Sequence, residues 1–236
     1  MNNGAIVDGI SRGKKLLKKA NIEFTTNTMF PTDNLAPNKF SEDFFRISQE
    51  KDYDKIHRTA LENGDYDIIL DDYSLFQFSK DYTGAIRYAY YQSSRDIITY
   101  EEFMEEFGFV DGDYLLYPSD EKPFYRDYEQ LIGEAKISNS VTPIRYDYSP
   151  DQYLGITHPA SHLHIGHENQ IRIPIKMILS PQAFMGFVVR HIYYKKWKKA
   201  MVNDNYLQEY LSVKRTCISL DSNYFKQDEV SDLHLV

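Results

Sequence analysis

The feature that most constrains the fold is a pair of short segments in which polar and apolar side chains alternate. Residues 161–165 read Ser-His-Leu-His-Ile, and residues 171–175 read Ile-Arg-Ile-Pro-Ile. Successive side chains on a β-strand point to opposite faces, so His162 and His164 share one face and the leucine and isoleucine share the other. The alternation therefore predicts two strands, each with a polar and an apolar face.

The same alternation predicts the register of the two strands. A five-residue loop over 166–170 closes an antiparallel hairpin that pairs Ile165 with Ile171 on the apolar face. His164 then lies opposite Arg172 on the polar face. A slip of one residue would mix the two faces, so the matching of apolar residues selects this register.

A third predicted strand, over residues 142–148, shows the same division. Arg145 and Asp147 alternate with an isoleucine and two tyrosines. Placed beside the hairpin, this strand extends the polar face, because its polar side chains point the same way. That face then collects Arg145, Asp147, His162, His164 and Arg172.

These five side chains suit the cleavage of a phosphate ester. Arginine is a planar, bidentate donor to phosphate, and histidine supplies general acid and base capacity near neutral pH. We therefore interpret all five as candidate catalytic residues. His162 and His164 would exchange protons, Arg145 and Arg172 would hold phosphate, and Asp147 would orient a histidine.

Two alternatives stay open for the same residues. The first is a divalent metal bound by His158, His162 and His164, with Asp147 as a further ligand, although the spacing matches no specific zinc signature. The second is a structural role, in which these side chains form a buried hydrogen-bonding network that fixes the sheet.

The most basic stretch of the chain follows Ser180 and Pro181. Serine as N-cap and proline at the first helical position predict a long helix that runs to about Met201. One side of it carries candidate nucleic-acid-binding residues at helical spacing: Arg190, His191, Tyr194, Lys195 and Lys198. The alternative is a solvated helix end whose cations interact favourably with the helix dipole.

Capping and turn signals predict the other elements. Ser41 can cap a short helix, Thr99 begins a capping-box sequence, and Asn63-Gly64 can end a helix that starts at Tyr53. Residues 25–40 read as loop. Further helices are predicted over 5–20, 125–132 and 206–213, and further strands over 67–70, 74–78, 85–91 and 114–117.

These elements predict a single α+β domain over residues 1–236, with an antiparallel sheet flanked by helices. Within it, residues 1–62 are mainly helical, 63–178 mainly sheet, 179–215 C-terminal helices, and 216–236 a tail of low helical signal.

Composition excludes several classes of protein. No apolar run reaches the ~20 residues of a membrane span, and the first four residues lack the apolar core of a signal peptide. The single cysteine, Cys217, excludes an internal disulfide framework and a cysteine-based zinc site. We expect a cytoplasmic protein that does not bind membranes.

Charge and motifs narrow the function further. The net charge of −8 argues against a uniformly positive surface for duplex nucleic acid, but it allows a local basic groove. The chain lacks a Walker loop, a dinucleotide glycine fingerprint, a Gly-x-Ser-x-Gly elbow and a His-Glu-x-x-His helix. ATPase, dehydrogenase, serine-hydrolase and zincin activities therefore have no support.

Five segments, in chain order, carry a resemblance to a known family: residues 71–78, 144–148, 158–166, 172–174 and 180–184. The His-x-His-x-Gly segment and the Arg-x-Asp strand are the most specific of them. Through these segments the chain resembles a bacterial family of hypothetical proteins, domain of unknown function 2290, and the resemblance covers most of the chain. It implies a bacterial origin, and an association with mobile or antiviral loci that favours nuclease and toxin-like functions.

Together these observations predict a phosphate-ester or nucleic-acid-processing protein, nuclease-like, acting on RNA or DNA in an antiviral or toxin-type system. Its cofactor would be absent or a divalent metal. The alternative is a non-catalytic partner or regulatory subunit, which would bind a protein encoded nearby through a surface rich in the chain's 20 tyrosines.

Overall fold

The computed structural model of the chain describes residues 1–31, 33–50, 52–109, 117, 121–138, 140–167, 171–232 and 234–235. Seven strands form one antiparallel sheet, in which each strand pairs with the next one along the chain. Helices pack beside it, which confirms the predicted α+β class. The strands are β1 (Phe24–Thr26), β2 (Ile68–Leu70), β3 (Leu75–Lys80), β4 (Ile86–Tyr91), β5 (Ile144–Tyr148), β6 (Ser161–Ile165) and β7 (Ile171–Pro174).

The described residues also contain nine α-helices and a second, two-stranded sheet of β8 (Met177–Ile178) and β9 (Ile218–Ser219). None of the described helices is both long enough and apolar enough to span a bilayer. The helices are α1 (Asn3–Lys19), α2 (Glu42–Ile47), α3 (Tyr53–Asn63), α4 (Tyr100–Glu106), α5 (Tyr125–Glu134), α6 (Pro181–His191), α7 (Tyr194–Ala200), α8 (Asp204–Ser212) and α9 (Gln227–Ser231).

Local signals in the sequence set several helix ends. The Ser41 hydroxyl accepts the backbone N–H of Phe44 at 3.1 Å and begins α2. Thr99 and Glu102 form a capping box that begins α4. Gly64 ends α3 with φ of 69°, a left-handed conformation that glycine adopts without steric cost. These three predictions are confirmed.

The predicted hairpin register is confirmed as well. Ile165 pairs with Ile171, and His164 lies opposite Arg172. On the other side of β6, Ile144 pairs with Ile165, so the apolar side chains of three strands share one face. Residues 168–170, the end of the predicted hairpin loop, lie outside the described residues.

The apolar face of the sheet carries the main core. Tyr88, Tyr146 and Leu163 are fully buried on it, and the ring of Phe184 from α6 lies 5.8 Å from that of Tyr88. Tyrosine is therefore a core residue in this fold, because its ring fills the space between sheet and helix.

Helix α1 packs closely against α6 because glycines face it. A Cβ at Gly13 would lie 2.2 Å from Sδ of Met185, and a Cβ at Gly9 would lie 2.7 Å from Cδ of Pro181. The proline ring beside Gly9 cannot move aside as a methionine side chain can, so at Gly9 the two helices approach at a distance that only glycine allows.

The long helix predicted from Pro181 to Met201 is wrong, because the chain bends at Tyr193 and divides it into α6 and α7. The Tyr193 hydroxyl donates to Oδ2 of Asp72 at 2.7 Å and lies 3.0 Å from the hydroxyl of Tyr90. These contacts draw the side chain into the core and leave its backbone at φ −100° and ψ 44°, outside helical geometry.

Two other segments contain more regular secondary structure than the sequence patterns predict. The segment 216–236, predicted as a tail, forms β9 and α9 and buries Phe225. The segment 25–40, predicted as loop, contributes to β1, which pairs with β2. Of the strand predicted at 114–117, only residue 117 lies within the described residues.

Candidate functional site

The polar face of the sheet brings together side chains from three neighbouring strands. Asp147 on β5 lies between Arg87 on β4 and His162 on β6, each directly opposite it in the antiparallel pairing. Arg145, two residues before Asp147 on the same face, lies opposite His164. Strand alternation and register thus place these five side chains in one cluster.

Asp147 is the centre of this cluster. Its Oδ1 accepts a hydrogen bond from Nε of Arg87 at 2.9 Å, and its Oδ2 accepts one from Nε of Arg145 at 2.9 Å. Its Oδ2 also lies 3.4 Å from Nε2 of His164. The Asp147 side chain is 10% exposed, whereas that of Arg87 is 59% exposed, so the arginine extends from the carboxylate toward solvent.

The two histidines contact each other directly. Their Nε2 atoms lie 3.0 Å apart, and Nδ1 of His162 lies 2.8 Å from the carbonyl oxygen of Pro159. Because a carbonyl can only accept, Nδ1 of His162 carries the proton and its Nε2 presents a lone pair. His164 therefore donates from its Nε2 to His162, with the Asp147 carboxylate as a second acceptor nearby.

The environment shifts the pKa of two members of the cluster. Burial alone would raise the pKa of Asp147, but the hydrogen bond with His164 and the charges of Arg87 and Arg145 outweigh it and hold the pKa well below its usual range. Burial lowers the pKa of His162 to about 4. At neutral pH the cluster thus contains an ionised Asp147 and an uncharged His162.

A groove of about 660 Å³ runs along the polar face beside this cluster. Arg87, Arg145 and Asp147 line it, whereas His162 and His164 are each 2% exposed and lie outside its lining. Its volume is within the range of small-molecule sites.

The two ends of the groove differ in chemistry. The end near α2 and α3 carries aromatic side chains, including Phe45, Tyr53 and Tyr91, together with His167 and with Glu50, whose carboxylate pairs with Lys55 at 2.7 Å. The end near the β3–β4 turn carries the carboxylates of Asp81 and Asp151. The arginines lie between an aromatic and an acidic end.

Four of the five predicted catalytic residues therefore converge: Arg145, Asp147, His162 and His164. The fifth, Arg172, lies on the same face opposite His164, but it is exposed at the edge strand and makes no ion pair within the described part of the chain. The catalytic roles themselves stay predictions.

Two of the three predicted histidine ligands converge with Asp147, and the third lies beside them. His162 and His164 join Asp147 in a group whose ligand atoms all lie within 4.8 Å of one another, the only such group in the described residues. His158 lies beside this group, with its ring centroid 5.4 Å from that of His162.

The predicted nucleic-acid-binding residues lie on the other side of the sheet. Helix α6 covers the apolar face, and Arg190, at its end, places its guanidinium 5.5 Å from the ring of Trp197. The side chains of Tyr194, Lys195 and Lys198 on α7 are exposed, and His191 packs on Phe187 with ring centroids 4.3 Å apart. The sheet therefore separates these residues from the groove.

Sequence reasoning missed Arg87 and the groove aromatics. Arg87 alternates with Ile86 and Tyr88, so its assignment to the polar face could have been read from β4 once β4 was placed beside β5. Tyr91 lies four residues after Arg87 on the same strand, so its side chain points to the same face. His167 lies in the predicted loop over residues 166–170, and nothing local in the sequence places it against the ring of Tyr53, 5.2 Å away.

Comparisons with known proteins give a family and no named relative. The sequence model of a family described as "Uncharacterized conserved protein (DUF2290)" matches residues 24–235 of the chain. No curated protein and no solved structure matches significantly.

Proposed function

The chain belongs to the DUF2290 family of uncharacterized conserved proteins, and from the geometry of its site we propose that it binds a phosphate ester in the groove and hydrolyses it. The observation that carries this proposal is the pair of arginines, Arg87 and Arg145, whose Nε atoms both bind Asp147. One carboxylate fixes two guanidinium groups, and the three charges sum to about +1.

The arrangement leaves each guanidinium with donors for a ligand. Nε is used by Asp147, and within the described residues the Nη groups of Arg87 and Arg145 have no hydrogen-bond partner in the protein. A phosphate needs several donors of this planar kind, and charge-assisted hydrogen bonds to it contribute about 1.5–3 kcal/mol each. Fixed arginines also stabilise the charge that develops when a phosphate ester is cleaved.

The rest of the groove indicates what the phosphate is attached to. Aromatic rings at one end, Tyr91 and the exposed Phe45 among them, supply flat apolar surface on which a base can stack. The substrate that we propose is a nucleoside phosphate, either free or as the end of a nucleic-acid strand. We propose the bacterial cytoplasm, and an antiviral or toxin-type system, as the setting of this activity.

Protons for this chemistry would come from the histidines at and behind the groove. His167 lines the groove. His164 reaches it through Asp147, whose Oδ2 lies 3.4 Å from its Nε2. A histidine at either place can donate or accept a proton in the reaction.

The test is binding and turnover in the full chain. We expect calorimetry to show AMP binding to the wild type, and Arg87→Met and Arg145→Met each to weaken it about tenfold or more, since a lost charged hydrogen bond of ~1.4 kcal/mol equals that factor. Arg190→Met, an arginine on the opposite side of the sheet, is the matched control and should bind AMP normally. Bis(p-nitrophenyl) phosphate is the probe for hydrolysis.

Two results would overturn this function. The first is the absence of AMP and oligonucleotide binding by the folded wild type. The second is equal affinity in the wild type and both groove variants.

A second candidate, binding of a protein partner, has one observation in its favour. Phe107 and Phe124 are 58% and 48% exposed, and their rings stack with centroids 5.7 Å apart beside Phe109. Seven of the tyrosines that suggested this function are buried, Tyr88 and Tyr146 among them, and do not contribute to a surface. This candidate predicts that Phe124→Ser removes a co-purifying protein and leaves AMP binding intact.

A further inference from the structure

Three side-chain atoms that could bind a metal ion lie close together on the polar face. Nε2 of His162 and Nε2 of His164 lie 3.0 Å apart, and Nε2 of His164 lies 3.4 Å from Oδ2 of Asp147. Two ligands bound at ~2.1 Å to a common first-row metal, with angles between octahedral and tetrahedral values, lie roughly 3.0–3.4 Å apart. Two of the three separations in this cluster match those of ligands that share one ion, and the third, between His162 and Asp147, is no more than 4.8 Å.

The contacts behind these atoms match a metal site too. A histidine that binds a metal through one nitrogen usually donates its other N–H to a carbonyl or carboxylate. Nδ1 of His162 does this to the Pro159 carbonyl at 2.8 Å, which leaves the lone pair on its Nε2, 3.0 Å from Nε2 of His164. Arg87 binds Oδ1 and Arg145 binds Oδ2 of the carboxylate, so its orientation is fixed before any ion binds.

We propose that Asp147, His162 and His164 form a site for one divalent first-row transition metal, such as Mn²⁺ or Zn²⁺. Two imidazoles and one carboxylate suit these ions, whereas Mg²⁺ and Ca²⁺ prefer oxygen ligands alone. In the metal-free protein, the proton on Nε2 of His164 occupies the centre of the cluster. When the ion binds, Nε2 of His164 gives this proton up to solvent, because a nitrogen that binds a metal must present its lone pair.

The number of ligands indicates the kind of site. Within the described residues three protein atoms converge, which is the number typical of catalytic sites that keep a position for water or substrate, whereas structural zinc sites have four. Asp147 lies both in this group and in the groove lining, so the ion would lie at the wall of the groove.

This inference does not depend on the proposed hydrolysis, because metal binding is measurable without any substrate. The experiment titrates Mn²⁺, Zn²⁺ and Co²⁺ into the full, chelator-treated chain by calorimetry, and follows the visible absorption of Co²⁺ as a report of its coordination. We expect one equivalent bound by the wild type and a rise in melting temperature with ion concentration, since an ion that binds only the native state stabilises it.

Variants separate this site from binding elsewhere on the surface. His162→Gln and Asp147→Asn keep side-chain volume, and each should weaken the site at least tenfold and change the Co²⁺ spectrum. His191→Ala removes a histidine on the opposite side of the sheet and should bind like the wild type. His164→Ala is the larger truncation, and circular dichroism establishes whether it is folded before its affinity is compared.

Two outcomes would overturn the proposal. One is a wild type that binds less than about a tenth of an equivalent of all three ions. The other is folded His162→Gln and Asp147→Asn proteins that keep wild-type affinity and spectrum, which would assign the binding to other groups. Neither outcome bears on AMP binding by the arginines, so a failure of this site is distinguishable from a failure of the proposed function.

Discussion

Nε of Arg87 lies 2.9 Å from Oδ1 of Asp147, directly across the pairing of β4 and β5, although 60 residues separate them in the chain. The two side chains differ in exposure, at 59% for Arg87 and 10% for Asp147. Removal of the Arg87 guanidinium and removal of the Asp147 carboxylate should therefore change the free energy of unfolding by different amounts.

Arg87→Met should change the free energy of unfolding by less than about 1 kcal/mol, since an ion pair with an exposed partner contributes little. Asp147→Ala should lower it by about 2–3 kcal/mol, because it leaves Arg145 and His164 without the carboxylate that faces them. Urea unfolding of both variants measures this. Equal losses in the two would contradict the assignment of Asp147 as the buried centre.

His164→Gln is expected to separate catalysis from stability. Glutamine keeps an N–H donor and similar volume beside Asp147 and His162, so the melting temperature should fall by only a few degrees. The loss of a titratable imidazole should nonetheless lower kcat for bis(p-nitrophenyl) phosphate by 10²-fold or more, an order typical of a lost catalytic acid or base.

Activity and melting temperature of this variant are measured on one sample. A protein that melts early but turns over normally per folded molecule would show that His164 is structural.

The groove and the metal site should be thermodynamically coupled. Arg87, Arg145 and a divalent ion would place about four positive charges around Asp147, so an anionic phosphate should make the ion bind more tightly, and the ion should equally favour the phosphate. We expect saturating AMP to lower the Kd for Mn²⁺ at least fivefold. Arg87→Met, which keeps all three metal ligands, should reduce this factor toward one.

Calorimetric titrations of Mn²⁺ with and without AMP measure this coupling. An unchanged Mn²⁺ affinity in the wild type would place the two ligands in sites that do not interact.

Helix α7, which carries Lys195 and Lys198, should not contribute to AMP binding in the groove. Lys195→Glu with Lys198→Glu reverses two charges on the far side of the sheet from Arg87, and at physiological salt such charges are screened beyond about 8 Å. AMP affinity should therefore stay unchanged. If α7 docks a nucleic-acid backbone, the same double variant will weaken oligonucleotide binding and flatten its salt dependence. Lost AMP affinity would show that α7 and the groove act together.

The free energy of unfolding should depend on pH through Asp71, which lies outside the groove lining. Burial raises the pKa of its carboxyl to about 6, and Lys196, 3.7 Å away, lowers it by less. The native state then binds a proton that the unfolded state has lost between pH ~4 and 6, so this residue costs stability above pH 6 and less as the pH falls. Asp71→Asn should stabilise the protein by about 2 kcal/mol at pH 8.

The stability difference between Asp71→Asn and the wild type should decline toward zero as the pH falls through 6 to about 4. Denaturant unfolding at several pH values measures this difference. Asp8→Asn, which changes an exposed carboxylate on α1, is the matched control. A constant difference for Asp71→Asn across the whole pH range would contradict a raised pKa.

Local patterns in the sequence predict much of this fold. The alternation in β6 and β7 determines the register, because any slip would place Leu163 or Ile171 on the polar face. Capping residues such as Ser41 predict helix starts for a similar reason, since the backbone groups that they satisfy lie within three residues.

What the sequence does not predict depends on contacts between distant segments. The break at Tyr193 results from its hydrogen bond to Asp72, 121 residues earlier. Alternation shows that His162 and His164 share a face, but not that both histidines are buried there. The separation of α7 from the groove likewise follows from which face α6 covers, and no pattern within α6 or α7 contains that information.

The order of the strands has a consequence for how this protein can vary. Tyr90 at the end of β4 pairs with Ile144 at the start of β5, yet the chain between them includes α4 and α5, whose side chains, Tyr100 and Tyr128 among them, form a hydrophobic cluster of their own. Two adjacent strand ends need only a short turn, and the entropy of closing a longer loop grows slowly with length. Evolution and protein engineering can therefore lengthen, replace or delete this connection between β4 and β5, while the strands that carry Arg87 and Asp147 keep their pairing.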